Sequence, residues 1–156
     1  MSEVDSLSKT LEDTVTLSRE LREDGQIDGQ VKLYNVDDDS EFESDAGLFF
    51  ERTLMTQGLR EALSILRDSL CGDDPRGTHI LYGPYGSGKS HQMVALYHCF
   101  NDPTAAGSWA ENEIDGFEAA LPESAIPITV AIQNEQYEYL WEPLFDALDY
   151  DPGTFE

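Results

Sequence analysis

Apolar residues recur along this chain at two spacings, one helical and one strand-like. Leu7, Leu11, Val15 and Leu21 make a rough stripe over residues 5–24, closed by Gly25, which predicts an N-terminal helix. Val31 to Val36 alternates as a strand does. Residues 37–45 carry six acids in nine positions, the pattern of a solvated loop. An EF-hand calcium loop does not fit there, because the positions that need Gly and Glu hold Phe42 and Leu48. Met55, Leu59, Ala62, Leu63, Leu66 and Leu70 then share one helical face, opposite Arg60, Glu61, Ser64, Arg67 and Asp68. Gly72 ends that helix, and residues 73–77 make a turn.

The second half continues with a short strand, Thr78 to Tyr82, a glycine-rich loop, and a helix from about Lys89 to Phe100. Its buried face is expected to be Met93, Leu96, Tyr97 and Phe100, with Asn101-Asp102-Pro103 as its close. A short helix is expected within Trp109 to Leu121, and Ile128 to Ile132 is a β-branched run with the character of a buried strand. Trp141, Leu144, Phe145 and Leu148 form a last helical stripe, with Pro143 acceptable in its first turn. There is no internal repeat. The order predicts an α/β fold, a P-loop-type parallel sheet flanked by helices, with an incomplete core and an N-terminal helix. Residues 1–45 are expected to form the N-terminal helix, short strand and acidic loop, and residues 46–156 the first part of a nucleotide-binding domain.

The informative chemistry is Gly83-Pro84-Tyr85-Gly86-Ser87-Gly88-Lys89-Ser90, which fits G-x-x-x-x-G-K-S/T at every specified position. Glycines let successive backbone N–H groups, from Gly86 to Ser90, point into one concavity. The following helix adds partial positive charge at the same place. Lys89 is expected to reach the β- and γ-phosphates of a nucleotide, and the Ser90 hydroxyl to ligate Mg²⁺. His91 follows directly and belongs to the candidate phosphate-site set, although a packing or capping role is open. Tyr82 and Tyr85 have two readings, contact with base or sugar, or burial in the core.

Hydrolysis needs a strand-end acid to hold Mg²⁺ and orient water. Ile128 to Ile132 runs instead into Gln133, Asn134 and Glu135, so Glu135 is the candidate substitute beside an ordinary loop acid. Asp37-Asp38 has the right chemistry but precedes the loop. His98 and Cys99 are adjacent on a helix and diverge, a poor metal pair. Ser87 has no His/Asp set at nucleophile spacing.

Composition sharpens this reading. The chain has 156 residues, 40% hydrophobic, with 32 Asp+Glu against 9 Lys+Arg and a formal net charge of -23. That balance opposes a generic nucleic-acid or anionic-membrane binder, and resembles proteins of salt-loving cytoplasms, where salt screens the repulsion. Lys89 is the last basic residue; Ser90 to Glu156 holds thirteen acids and no Lys or Arg. An arginine finger must therefore come from elsewhere. No stretch reads as a signal peptide or membrane span, and two cysteines are too few for a disulfide scaffold, so a cytoplasmic protein is expected.

Phe49-Phe50-Glu51-Arg52-Thr53-Leu54-Met55-Thr56-Gln57-Gly58-Leu59, followed by Tyr82 to Phe100, resembles the N-terminal part of large AAA-like P-loop ATPases of unknown-function type, including those of phage-exclusion (BREX) loci. The resemblance covers roughly residues 46–100. It implies ATP with Mg²⁺, a role in defence against invading DNA, and Gly83, Gly88, Lys89 and Ser90 as phosphate and metal contacts. Those ATPases run to many hundreds of residues, so the chain reads as an opening segment. Three functions follow: an ATP-binding part of such an ATPase, a non-catalytic nucleotide-binding or interaction module that needs a partner chain or self-association, and an AAA-type replication initiator or loader. The missing bases count against the last.

Overall fold

Thr56 starts the longest helix described here by accepting a hydrogen bond from Leu59 N at 3.2 Å, and Gly72 stops it in the left-handed conformation at φ 81°. The computed structural model describes residues 30–36, 42–74, 76–130, 139 and 141–149. The expected N-terminal helix over residues 5–24 lies outside them. A 3-10 turn, Leu33–Asn35, is followed by α1 (Ala46–Glu51), α2 (Gln57–Cys71), α3 (Lys89–Asn101), α4 (Pro103–Ala110), α5 (Phe117–Ala120) and α6 (Glu142–Ala147).

The expected parallel sheet is not there. The described residues are helical and contain no β-strand. Val31 to Val36 holds the 3-10 turn. Residues 76–83 and 125–130 are without regular secondary structure, and residues 131 and 132 lie outside the described set. A buried strand needs neighbours for its backbone groups and cover for its side chains. Residues 76–83 have neither: Ile80 is 84% and Tyr82 88% exposed, and Ile126 in the second stretch is 89% exposed. β-branched composition signals a strand only when a ladder exists to receive it.

The core is instead a helix-on-helix arrangement. α4 packs against α1, α3 and α5, while α2 packs against α3 and α5. Phe49, Leu59, Leu63, Val94, Ala95, Cys99, Ala106, Ala110 and Phe117 are buried there. α4 is built of small residues, and a Cβ at Gly107 would sit 2.7 Å from the Glu118 Cγ, so the approach of α5 requires glycine. Asp102 and Pro103 do not merely close α3. Asp102 accepts from Ala105 N at 2.9 Å and Pro103 occupies the first turn, so together they open α4. This corrects the expected helix within 109–121, which divides between α4 and α5.

α2 buries Leu59 and Leu63 as its stripe predicts, with Leu66 and the preceding Met55 partly buried against the core, whereas Leu70 is exposed. α3 departs from expectation: Val94, Ala95, His98 and Cys99 are the buried residues, while Met93 is exposed and Leu96, Tyr97 and Phe100 are partly buried. Helices lie against α3 on several sides, so its smallest residues take the closest contacts. The last stripe does form α6 with Pro143 in its first turn, but Leu144 and Leu148 are exposed.

The acidic segment is not wholly solvated. Glu43 is buried and its Oε1 accepts from Lys32 N at 2.9 Å. Phe42 stacks on Phe49, and Asp45 caps α1 through Leu48 N. The His98 Nε2–H donates to the Glu43 carbonyl at 2.7 Å, leaving a buried Nδ1 without a partner. Burial lowers the His98 pKa against weaker opposing effects of that bond and of Asp102 and Asp45. Cys71 is exposed at the end of α2, while Cys99 is buried with its thiol pushed up to about 12. No helix among the described residues is long and apolar enough to cross a membrane.

Candidate functional site

The loop from Gly83 to Ser90 joins the extended residues 76–83 to α3. Ser87 N donates to the Pro84 carbonyl at 3.3 Å, closing a turn inside it. Gly86 and Gly88 have φ of 77° and 80°, a region that favours glycine. At Gly83 a Cβ would sit 2.8 Å from the Ser87 Oγ, the rotatable end of that side chain. Two of the three glycines thus serve backbone conformation.

Lys89 folds back over the loop. Its Nζ donates to the carbonyls of Gly83 at 2.9 Å and Pro84 at 2.8 Å, and lies 3.5 Å from the Ser87 Oγ. The ammonium is therefore folded back onto its own loop. Gly88 is the N-cap of the 13-residue α3 and supplies no side-chain cap. Gln92 N reaches the Gly88 carbonyl at 2.9 Å, so the helix is regular from its first turn. The N–H groups ahead of that bond have no intrahelical acceptor, and Ser90, next to Lys89 in the chain, is exposed. A cationic amine, a helix N-terminus with no side-chain cap and an adjacent hydroxyl fit a phosphate chain with its Mg²⁺.

Pro84, Tyr85 and Ser87 complete the loop. Tyr82 and Tyr85 are 88% and 91% exposed, so the core reading of these rings does not hold. Glu135 lies outside the described residues. Among those described, no group of three or more His, Cys, Asp or Glu is placed to hold a metal ion.

His91 sits one residue beyond Ser90 and is tied to the helical core. Its Nε2 is 2.9 Å from the Thr53 Oγ1, and its ring lies 4.8 Å from that of Phe49. The Thr53 hydroxyl donates its single proton to the Phe49 carbonyl at 2.7 Å. A carbonyl oxygen cannot donate, so Thr53 must accept from His91, and Nε2 carries the proton. Burial lowers the His91 pKa, favouring that neutral form. One position further, a Cβ at Gly58 would come within 3.2 Å of the Gln92 Nε2. Residues Thr53 to Leu59 acquire separate jobs from these contacts: Thr53 meets His91, Thr56 caps α2, Gly58 leaves room for Gln92, and Leu59 enters the core. The Thr53–His91 partnership was not evident from sequence, since 38 residues separate the pair.

No curated protein and no solved structure matches the chain. A family model does match, over residues 17–128, a span that contains α1 to α5, the glycine loop, Thr53 and His91. The chain belongs to the DUF499 N-terminal domain family.

Proposed function

We propose that this chain binds ATP with Mg²⁺ through Gly83 to Ser90. The observation that carries the reading is the placement of the Lys89 ammonium on the Gly83 and Pro84 carbonyls, beside a helix N-terminus without a side-chain cap. Lys89 would contact the β- and γ-phosphates, the backbone from Gly86 to Ser90 would donate to phosphate oxygens, and the Ser90 hydroxyl would ligate Mg²⁺. The exposed rings of Tyr82 and Tyr85 are the candidate base or sugar contacts. Bound Mg²⁺ would neutralise phosphate charge in a protein whose own charge of -23 repels anions.

Turnover asks for more. The stretch from Ser90 to Glu156 contains no Lys or Arg, so a cation for transition-state charge must come from another chain or segment. In this reading the chain is the nucleotide-binding part of an ATPase, with Glu135 as the candidate water-orienting acid and a second polypeptide completing the site. The resemblance to ATPases of phage-exclusion loci supports defence as the setting, and the acid-rich composition supports the cytoplasm of a salt-loving cell. The same lack of cations favours a second reading, a nucleotide-binding module that works by docking and does not hydrolyse.

The test is titration of the purified chain with ATP in molar KCl, with and without Mg²⁺. Saturable Mg²⁺-dependent binding that Lys89→Ala weakens about a hundredfold supports the proposal. Equal affinity in the variant, or no binding by a folded chain, overturns it. Binding without phosphate release would favour the docking module.

A further inference from the structure

We propose that Thr53 and His91 are positioning residues for the phosphate loop. Their hydrogen bond holds the first turn of α3, and with it Ser90 and the phosphate-facing N–H groups, against the junction of α1 and α2. The inference rests on the nucleotide-binding reading above for its consequence, but not for its geometry.

Three observations converge on that turn. The Thr53 Oγ1 is buried, donates back into α1 at the Phe49 carbonyl, and accepts from His91. This leaves a chain of two hydrogen bonds from the α1 backbone to the His91 ring. The Phe49 ring, itself fully buried, lies against the same imidazole, so His91 is fixed from one face as well as at one nitrogen. Gly58, two residues into α2, makes room for the side chain of Gln92. The first turn of α3 is thus braced at His91, with the Gln92 side chain lying close over Gly58. Ser90 immediately precedes His91 and has no such brace of its own, being exposed.

The reason to expect consequences for binding is geometric. Phosphate recognition at a helix N-terminus depends on several N–H groups converging, and a tilt of the first turn moves all of them together. The Thr53 backbone carbonyl also accepts from the Trp109 Nε1 at 3.3 Å, which ties the junction to α4. The pair therefore connects the loop to the buried core of α1 and α4.

The experiment compares Thr53→Val, which keeps the shape and removes both hydrogen bonds, with Thr53→Ser, which keeps the hydroxyl. His91→Phe keeps the ring and removes the donor. Two readouts are used: Mg²⁺–ATP affinity, and hydrogen exchange of the backbone amides of residues 90–93. Ile114→Val, in the core at the α4–α5 turn, serves as a stability control. The proposal expects about tenfold weaker binding in Thr53→Val and His91→Phe, near-native binding in Thr53→Ser, and a double variant no worse than either single one. It also expects faster exchange at residues 90–93 in Thr53→Val than in Ile114→Val at matched global stability. Additive losses, unchanged exchange, or affinity that tracks stability alike in all variants would overturn it. If the native chain binds no ATP, the functional reading falls, and the exchange comparison still decides whether the pair holds the turn.

Discussion

The two ends of α3 contrast sharply. Its rear half buries Val94, Ala95, His98 and Cys99 among α1, α2 and α4, whereas its front turn carries Lys89 and Ser90 on an exposed loop. The rear is held by burial and close packing, the front by the hydrogen bond and ring contact of His91. One helix thus combines an anchor with a presenting end, and loss of either should leave a different signature.

The largest effect is expected at the anchor. Phe49 is fully buried against the rings of Phe42, Phe50, His91 and His98, so Phe49→Ala should cost about 3–5 kcal/mol. Urea unfolding checks this, and a cost below about 1 kcal/mol would remove the contrast between the two ends. At the front, Lys89→Ala should weaken Mg²⁺–ATP binding about a hundredfold, close to 2.7 kcal/mol, while the unfolding midpoint stays put. A large loss of stability in that variant would mean that the loop is structural rather than presenting.

Gly107→Ala tests the packing behind the rear half. The added Cβ would meet Glu118 side-chain atoms at 2.7 and 3.0 Å and its backbone Cα at 3.4 Å, so about 1–3 kcal/mol of destabilisation is expected. The smallest effect concerns pH. His98 and His91 both have pKa values lowered by burial from 6.5 in the folded chain, so the unfolded chain binds more protons in acid. Their contribution to stability is present above about pH 6.5 and is lost as pH falls through the depressed folded values. Unfolding curves at falling pH should show His98→Phe losing less stability than the native chain, since it lacks the buried Nδ1 that has no acceptor. Parallel curves would contradict this.

Legibility in the sequence followed how many sides of an element are covered. α2 has one buried face, and its periodicity and Gly72 stop pointed the same way, while the Thr56 cap emerged only with the structure. Within the glycine loop, Gly86 and Gly88 were legible as backbone positions, because a left-handed φ is a local need. α3 was misread because several neighbours surround it, and hydrophobicity alone does not rank Ala95 or Cys99 above Met93 for the tightest contacts. The strands expected at Thr78 to Tyr82 and Ile128 to Ile132 misled for a different reason. Val, Ile and Thr describe what a chain tolerates in a sheet, and nothing in residues 78–82 states whether a neighbouring strand exists. His91 was legible from its place directly after Ser90, whereas its partner Thr53, 38 residues away, was not. Asp102-Pro103 read as punctuation because a helix stop and a helix start use the same residues when two helices abut.

The two sulfhydryl groups of this chain have unequal chemical lives. Cys71 lies open at the end of α2, whereas Cys99 is sealed in the core with its proton held up to about pKa 12. An alkylating reagent at neutral pH should therefore add once, quickly, to every molecule, and a second time only when the rear of α3 opens. The chain thus carries its own clock: the rate of the second addition, read by mass, times that opening without any engineered probe.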